Sequence, residues 1–270
     1  MIDILMSTYN GEEFIEAQID SILSQDLNEF RLLVRDDGSK DGTAEILRSY
    51  SLADSRVVIV KDEKGNIGPA RSFLSLLKCS TSDFFMFADQ DDVWLPGKIS
   101  SSLRRIEELV TAGGSTRPTV FFTDLVVCDK ELKTISDSFW QYQSLDPEIS
   151  HDWRRLLVQN VVTGCTMIGN AAARQAALPF ALEEMFHDHW VAVNVARSGI
   201  VDYDKTATVL YRQHSENAEG ASAFDLGYVL KRLRQPFRRY NFYRKAGHFF
   251  DVSPNRLILS KILEGLKRLI

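Results

Sequence analysis

Two short acidic runs carry the clearest chemical signal in the sequence: Asp36-Asp37 and Asp89-Gln90-Asp91-Asp92. Carboxylates crowded onto one turn repel one another, and a divalent cation that prefers hard oxygen ligands relieves the repulsion. Mg²⁺ or Mn²⁺ held by one or two carboxylates keeps its other positions for water and substrate phosphate, so DQDD points to a diphosphate ligand. Either run taken alone is equally an ordinary surface turn, where aspartate bonds to nearby backbone. His187 and His189 could be read as a metal pair, but on a helix residues two apart face different directions, so zinc is not expected.

The elements around these runs explain their position. Ile2 to Met6 reads as a strand, and Ile15, Ile19, Ile22 and Leu23 form a helical stripe with Asn10 as its N-cap and Glu13 three residues later. Phe30 to Arg35 is a second strand, ended by the loop DDGSKDGT before the helix TAEILRSY. Val57 to Val60 is a third, and KGNIGPA leads into a helix through Cys79. Asp83 to Ala88 is a fourth, running directly into DQDD. Pro96 opens the next helix, and TVFFTDLVVCD (119 to 129) is a further strand. Alternating strands and helices predict an α/β fold with a mainly parallel sheet, in which both acidic runs lie at the carboxyl ends of strands where such sheets bind ligands. The second half is less regular, with a polar stretch at 133 to 150, a mixed segment at 160 to 170 and a helix around Glu183 to Ala196.

At 270 residues with 44% hydrophobic and 26% charged residues, the chain can bury a full core and is not disordered. Cys79, Cys128 and Cys165 form no CxxC pair, which fits a reducing compartment, and the N-terminus resembles neither a signal nor a transit peptide; the cytoplasm is expected. The net charge of -5 conceals an asymmetry. Residues 226 to 270 carry 11 Lys and Arg against 2 acidic residues, while residues 1 to 225 have a balance of -14. An acidic body argues against nucleic acid as a partner, and a basic, aromatic-rich tail suits an anionic membrane surface. GxSxG, GxxxxGK[ST] and GxGxxG are absent, which removes the serine hydrolase, P-loop and dinucleotide fingerprints.

Four motifs in order over residues 1 to 220 resemble the inverting nucleotide-sugar glycosyltransferases of family 2, which have a GT-A fold. These are STYNGEEFIEAQIDSILSQ, VRDDGSKDGT, NIGPARS and DQDD. FADQDDVWLPGKI, FHDHW and LYRQHSEN are most similar to rhamnosyltransferases of bacterial polysaccharide synthesis. The resemblance implies a Rossmann-like sheet flanked by helices, and it places Thr8, Tyr9 and Asn10 around the nucleotide base. Asp37 would accept from a pyrimidine imide beside Asp36, and Arg71 would face the diphosphate. Asp89 and Asp91 would hold Mg²⁺ or Mn²⁺, His214 would close over the metal or phosphate, and Asp92 would lie near the sugar. Asp188 matches the catalytic base, with His187 where an acidic residue is commoner. Trp94, Trp190 and His189 are candidate sugar or acceptor contacts, and Gly164 and Thr166 belong to the acceptor side. Asp188 could also be a helix-surface carboxylate, His214 an ordinary loop histidine and the tryptophans, Trp140 among them, core residues.

The resulting expectation is a metal-dependent transferase over residues 1 to 225, with a nucleotide-sugar half to about 130, an acceptor half beyond it and a helical tail from 226 to 270. Its donor would be a nucleoside diphosphate sugar, first dTDP-L-rhamnose and otherwise UDP-glucose or UDP-galactose, and its acceptor a saccharide, lipid-linked at the inner face of the cell membrane. A nucleotidylyltransferase and a non-catalytic sugar-nucleotide-binding module are the rival readings. The tail would contact the membrane peripherally, or else pack on the catalytic domain or form a homodimer interface.

Overall fold

The computed structural model describes residues 1–182, 184–214 and 236–268. Four parallel strands form the first half: β1 (Ile2–Thr8), β2 (Phe30–Asp36), β3 (Val57–Ile59) and β4 (Phe84–Ala88), in the order β3-β2-β1-β4. Their residues alternate between two buried faces. Ile4, Met6, Leu32, Val34, Met86 and Ala88 belong to one apolar cluster, and Leu5, Leu33, Phe85 and Phe87 to the other. Burial on both faces is why these strands read as continuous apolar runs.

Helices α1 (Ile15–Leu23), α2 (Thr43–Ala53) and α4 (Lys98–Gly113) cover the first face through Ile15, Ile19, Ile22, Leu47, Ile99 and Ile106. Helix α3 (Pro69–Cys79) covers the second. Two helix starts differ from the sequence reading. Asn10 does not cap α1; its backbone takes a left-handed turn with φ of 48°, and its side chain accepts from the Lys40 N–H at 2.8 Å, tying the loop after β1 to the loop after β2. Pro96 precedes α4, which begins at Lys98 after a left-handed turn at Gly97.

The second half adds antiparallel pairing that periodicity does not reveal. β8 (Ile168–Asn170) runs antiparallel between β4 and β6 (Thr119–Cys128), and β6 lies parallel to the long β9 (Ile200–Arg212). β5 (Val93–Trp94) pairs with β9, and β7 (Thr134–Ser136) with β6. Short helices α5 (Phe139–Tyr142), α6 (Trp153–Val158) and α7 (Ala171–Ala176) precede α8 (His187–Ser198), which starts later than expected. Glu183 lies outside the described residues.

In the tail, α9 (Pro236–Phe250) and α10 (Pro254–Lys267) fold back on the body. Tyr243, Ala246, Phe250 and Leu257 join the same apolar cluster as Leu156 and Trp190, and Arg155 of α6 makes two hydrogen bonds to Glu264 at 2.9 and 3.1 Å. Packing against protein, one of the expected roles of the tail, therefore accounts for one face of it. The expected boundary at 225/226, the basic stretch 231–235, the last three residues of LYRQHSEN and Leu269 lie outside the described residues. No described helix is long and apolar enough to cross a membrane.

Candidate active site

β1, β2 and β4 end side by side, at the point between β1 and β4 where strand order reverses, and an open parallel sheet leaves its ligand crevice there. Thr8 is buried opposite Asp36, with its hydroxyl 3.4 Å from Asp36 Oδ1. Asp36 also accepts from the Ser39 hydroxyl at 2.5 Å and the Ser39 N–H at 3.2 Å. Asp37 is buried; its two oxygens accept the backbone N–H groups of Ile67 and Gly68, each at 2.8 Å, and the Arg35 guanidinium pairs with it. Asp37 thus anchors the loop that leads into α3, whose first turn carries the exposed Arg71. Tyr9 is exposed, and its backbone exchanges two hydrogen bonds with the Gln90 amide, at 2.8 and 3.1 Å. Gln90, the second residue of DQDD, therefore joins that turn to the end of β1.

The DQDD turn links β4 to β5 and is gripped from β9. Asp91 Oδ2 lies 2.8 Å from His214 Nε2, the Arg212 N–H donates to Asp92 Oδ1 at 3.2 Å, and Arg212 Nε donates to the Asp91 carbonyl at 2.8 Å. The Arg212 guanidinium also bonds to the Lys130 carbonyl and lies 4.8 Å from the Phe14 ring centre, while the His214 ring sits 4.7 Å from the same ring. Arg212 and Phe14 are absent from the residues singled out by sequence. The available signal for Arg212 was its place in LYRQHSEN, two residues before His214.

Negative charge is crowded here. Burial, together with the Asp91 and Asp188 charges, pushes the Asp89 carboxyl up to about 8, and burial with Asp91 and Asp89 raises Asp92 well above the carboxylate range. Asp92 Oδ2 is buried without a hydrogen bond. Behind the turn lies a fully buried lysine, Lys98, 4.8 Å from the Trp94 ring centre and 3.3 Å from the Thr208 hydroxyl; burial draws its pKa down to about 8. Crowded oxygens and a buried orphan oxygen are a donor set that could hold a divalent cation, with the Asp89 and Asp92 carboxylates together and the Asp91–His214 pair beside them on the same turn. Cys165 lies within 4.8 Å of Asp89 and Asp92 by its ligand atom, also missed from sequence.

Asp188 opens α8. Its Oδ2 accepts the Gly164 N–H at 3.1 Å and its Oδ1 the His189 N–H at 2.6 Å. A Cβ on Gly164 would lie 2.9 Å from His187 Nε2, so glycine is what lets this backbone reach the carboxylate. His187 is buried flat against Phe73, with ring centres 4.0 Å apart, and burial lowers its pKa to about 3, leaving a neutral ring beside the base. The Asp188 charge acts on Asp89, so this carboxylate and the acidic turn lie near one another.

Other expected contacts are structural. Trp94 and Trp190, expected beside the sugar, are 2% and 1% exposed, and the Trp190 indole donates to the Ala177 carbonyl at 2.7 Å. Trp140 is likewise buried, bonded to the Val161 carbonyl. His189 bonds to the Leu156 carbonyl at 2.8 Å, and Thr166 is fully buried with its hydroxyl on the Thr163 carbonyl. An aromatic ring at a sheet or helix junction gains more from burial than a sugar contact would return.

A family model described as glycosyl transferase family 2 matches residues 3–165, more than half of the chain. The chain belongs to glycosyl transferase family 2. This glycosyltransferase is 25% identical over 255 residues to the dTDP-rhamnosyl transferase RfbG of Shigella flexneri, covering 89% of the chain and 81% of RfbG. The TarS 1–349 structure from S. aureus in complex with UDP-GlcNAc is similar at a TM-score of 0.65 and 16% identity, over 99% of this chain and 72% of TarS. The mannosyltransferase PcManGT from Pyrobaculum calidifontis, with GDP-Man and Mn²⁺, is similar at a TM-score of 0.61 and 14% identity, over 99% of this chain and 72% of its own. The fold is the GT-A fold, and at these identities the structural likeness speaks for the fold alone.

Proposed function

We propose that this glycosyltransferase moves L-rhamnose from dTDP-L-rhamnose, with inversion, onto a lipid-linked saccharide in bacterial cell-surface polysaccharide synthesis. The observation that supports the reaction type is Asp188, held by the Gly164 N–H and near enough to the DQDD turn for its charge to act on Asp89. The donor assignment rests on the relation to RfbG and on the segments FADQDDVW, HDHW and YRQH. A UDP-sugar donor is the second reading, favoured by 25% identity over 202 residues to the UDP-Glc:alpha-D-GlcNAc-diphosphoundecaprenol beta-1,3-glucosyltransferase WfaP of Escherichia coli.

In this scheme Thr8, Tyr9, Asn10, Asp36 and Asp37 hold the nucleoside, Arg71 the diphosphate, and Asp89, Asp91 and His214 a Mg²⁺ or Mn²⁺ ion, with Asp92 beside the sugar. When bound, the cation neutralises charge on the diphosphate leaving group. Asp188 accepts the acceptor hydroxyl proton as that oxygen attacks the anomeric carbon from the face opposite the diphosphate, so one carboxylate suffices and the configuration inverts. The Gly164 and His189 N–H groups fix the carboxylate, and neutral His187 adds no charge beside it. We place the reaction at the inner face of the cell membrane.

A donor screen tests the assignment. Transfer from dTDP-L-rhamnose with an inverted anomeric centre by NMR is expected; transfer from UDP-glucose or UDP-GlcNAc with none from dTDP-L-rhamnose moves the donor to the second reading.

A further inference from the structure

Helix α10 is inside out for a helix that serves only to pack on protein. Its inward side is largely polar: Glu264 is buried against Arg155, Lys261 Nζ donates to Gln159 Oε1 at 2.8 Å, and Arg268, just past its end, donates to the Gln143 carbonyl at 3.1 Å. Leu257, 1% exposed, and the partly buried Ile258 are its apolar anchors against the body. Leu259, Ile262, Leu263 and Leu266 are 57%, 54%, 48% and 53% exposed. Their i, i+3, i+4, i+7 spacing puts all four on one stripe of the helix. A helix that only covers a core buries such a stripe, because each large aliphatic side chain gains about 1.5–3 kcal/mol on full burial.

Charge at the edge of the stripe identifies what it meets. Arg256 is exposed along one border, and the helix's single acidic residue, Glu264, is turned inward and neutralised by Arg155 and by Lys267, whose Nζ lies 2.9 Å from its Oε1. We propose that the Leu259-Ile262-Leu263-Leu266 stripe seats α10 in the headgroup layer of an anionic membrane leaflet, with Arg256 on the lipid phosphates. Leucine and isoleucine on one side with a basic residue at the border are the arrangement of a helix lying in the interface plane. For a symmetric dimer through this stripe, four side chains fall far short of the roughly 20–30 residues per side of a stable interface. The seat is mechanically close to the chemistry: α10 packs on α6, whose Leu156 carbonyl meets the His189 ring beside Asp188. The inference rests on the lipid-linked acceptor proposed above for its purpose, but not for its measurement.

The test is sedimentation of the full-length protein with vesicles of phosphatidylcholine, alone or mixed with phosphatidylglycerol. Binding to the mixed vesicles is expected to be weakened but not abolished by high salt, because the apolar part of the contact is not screened. The double variant Leu259→Gln/Leu263→Gln should lose binding by about tenfold or more, while keeping its Tm and its turnover of a soluble acceptor. Leu52→Gln, at an 89% exposed leucine on α2, should bind as wild type. Failure of the wild-type protein to sediment with anionic vesicles, or equal binding by the double variant, overturns the proposal. So does a wild-type dimer in analytical ultracentrifugation that the double variant converts to monomer. Because no sugar donor is present, loss of vesicle binding and a wrong donor assignment are separately detected.

Discussion

Asp188 is held by two backbone N–H groups, and an asparagine oxygen can still accept one of them, so Asp188→Asn removes the base while leaving its seat intact. Transfer should fall by about 10² to 10⁴-fold with nucleotide affinity retained, as read by steady-state kinetics beside calorimetric titration of the nucleoside diphosphate. Asp89 supplies a pH dependence. Its folded-state pKa of about 8 lies above the ordinary 3.8, so in metal-free protein its contribution to stability is greatest below pH 4 and is lost as pH rises toward 8. A cation must displace that proton, so Mn²⁺ affinity should weaken by up to about tenfold per pH unit below 8, measurable by titration at pH 6, 7 and 8. Pairing of the DQDD carboxylates was legible because contiguous residues share one turn. Gly164 and Arg212 were opaque as partners of Asp188 and Asp91, since those contacts join segments 24 and 121 residues apart. The tryptophans were misplaced for a related reason: whether an aromatic faces solvent or core is decided by neighbours that periodicity does not identify.

At the scale of elements, the parallel half was readable because both faces of β1, β2 and β4 are buried and each carries an apolar run, Ile4–Met6, Leu32–Val34 and Phe84–Ala88. β9 was not, because its central residues DYDKT lie partly exposed and carry charges that imitate a loop. Yet β9 delivers Arg212 and His214 to the acidic turn, so half of the site's support came from the least legible strand. Arg212→Lys keeps the charge and loses the fork that spans the Asp91 and Lys130 carbonyls. Its expected effect is about tenfold weaker metal-dependent nucleotide binding, the worth of one or two hydrogen bonds, with an unchanged circular dichroism spectrum. Helix α10 gives a sharper contrast. Leu257→Ala should cost about 2–5 kcal/mol and lower the Tm by several degrees, while Leu259→Ala should leave it nearly unchanged in calorimetry. Equal effects would mean that the helix is rotated from the orientation described here. The tail's basic amphipathic character was legible; which side turns inward was not, because polar partners on α6 and its flanks, Arg155 and Gln159, set it.

For the whole molecule, the cleft lies on a seam. The loops proposed to hold the nucleotide follow β1, β2 and β4, whereas Arg212, His214 and Asp188 come from the end of β9 and from α8 of the other half, and β8 is the strand that bridges β4 to β6. A ligand spanning that seam binds only the assembled protein, so it should stabilise both halves together. With free ligand at about 100 times Kd, linkage gives about 2.7 kcal/mol, or a rise in Tm of roughly 5–10 °C for a chain of this size. The rise should appear in a single calorimetric transition when dTDP or UDP is added with Mn²⁺. It should collapse with chelator or in Asp91→Asn, because the carboxylates of the acidic turn then repel the diphosphate instead of sharing a cation with it. A full shift in the presence of chelator would place the binding energy in the nucleoside loops alone and remove the metal role assigned to DQDD. Two separate transitions, only one of them moved by nucleotide, would mean that the seam does not couple the halves.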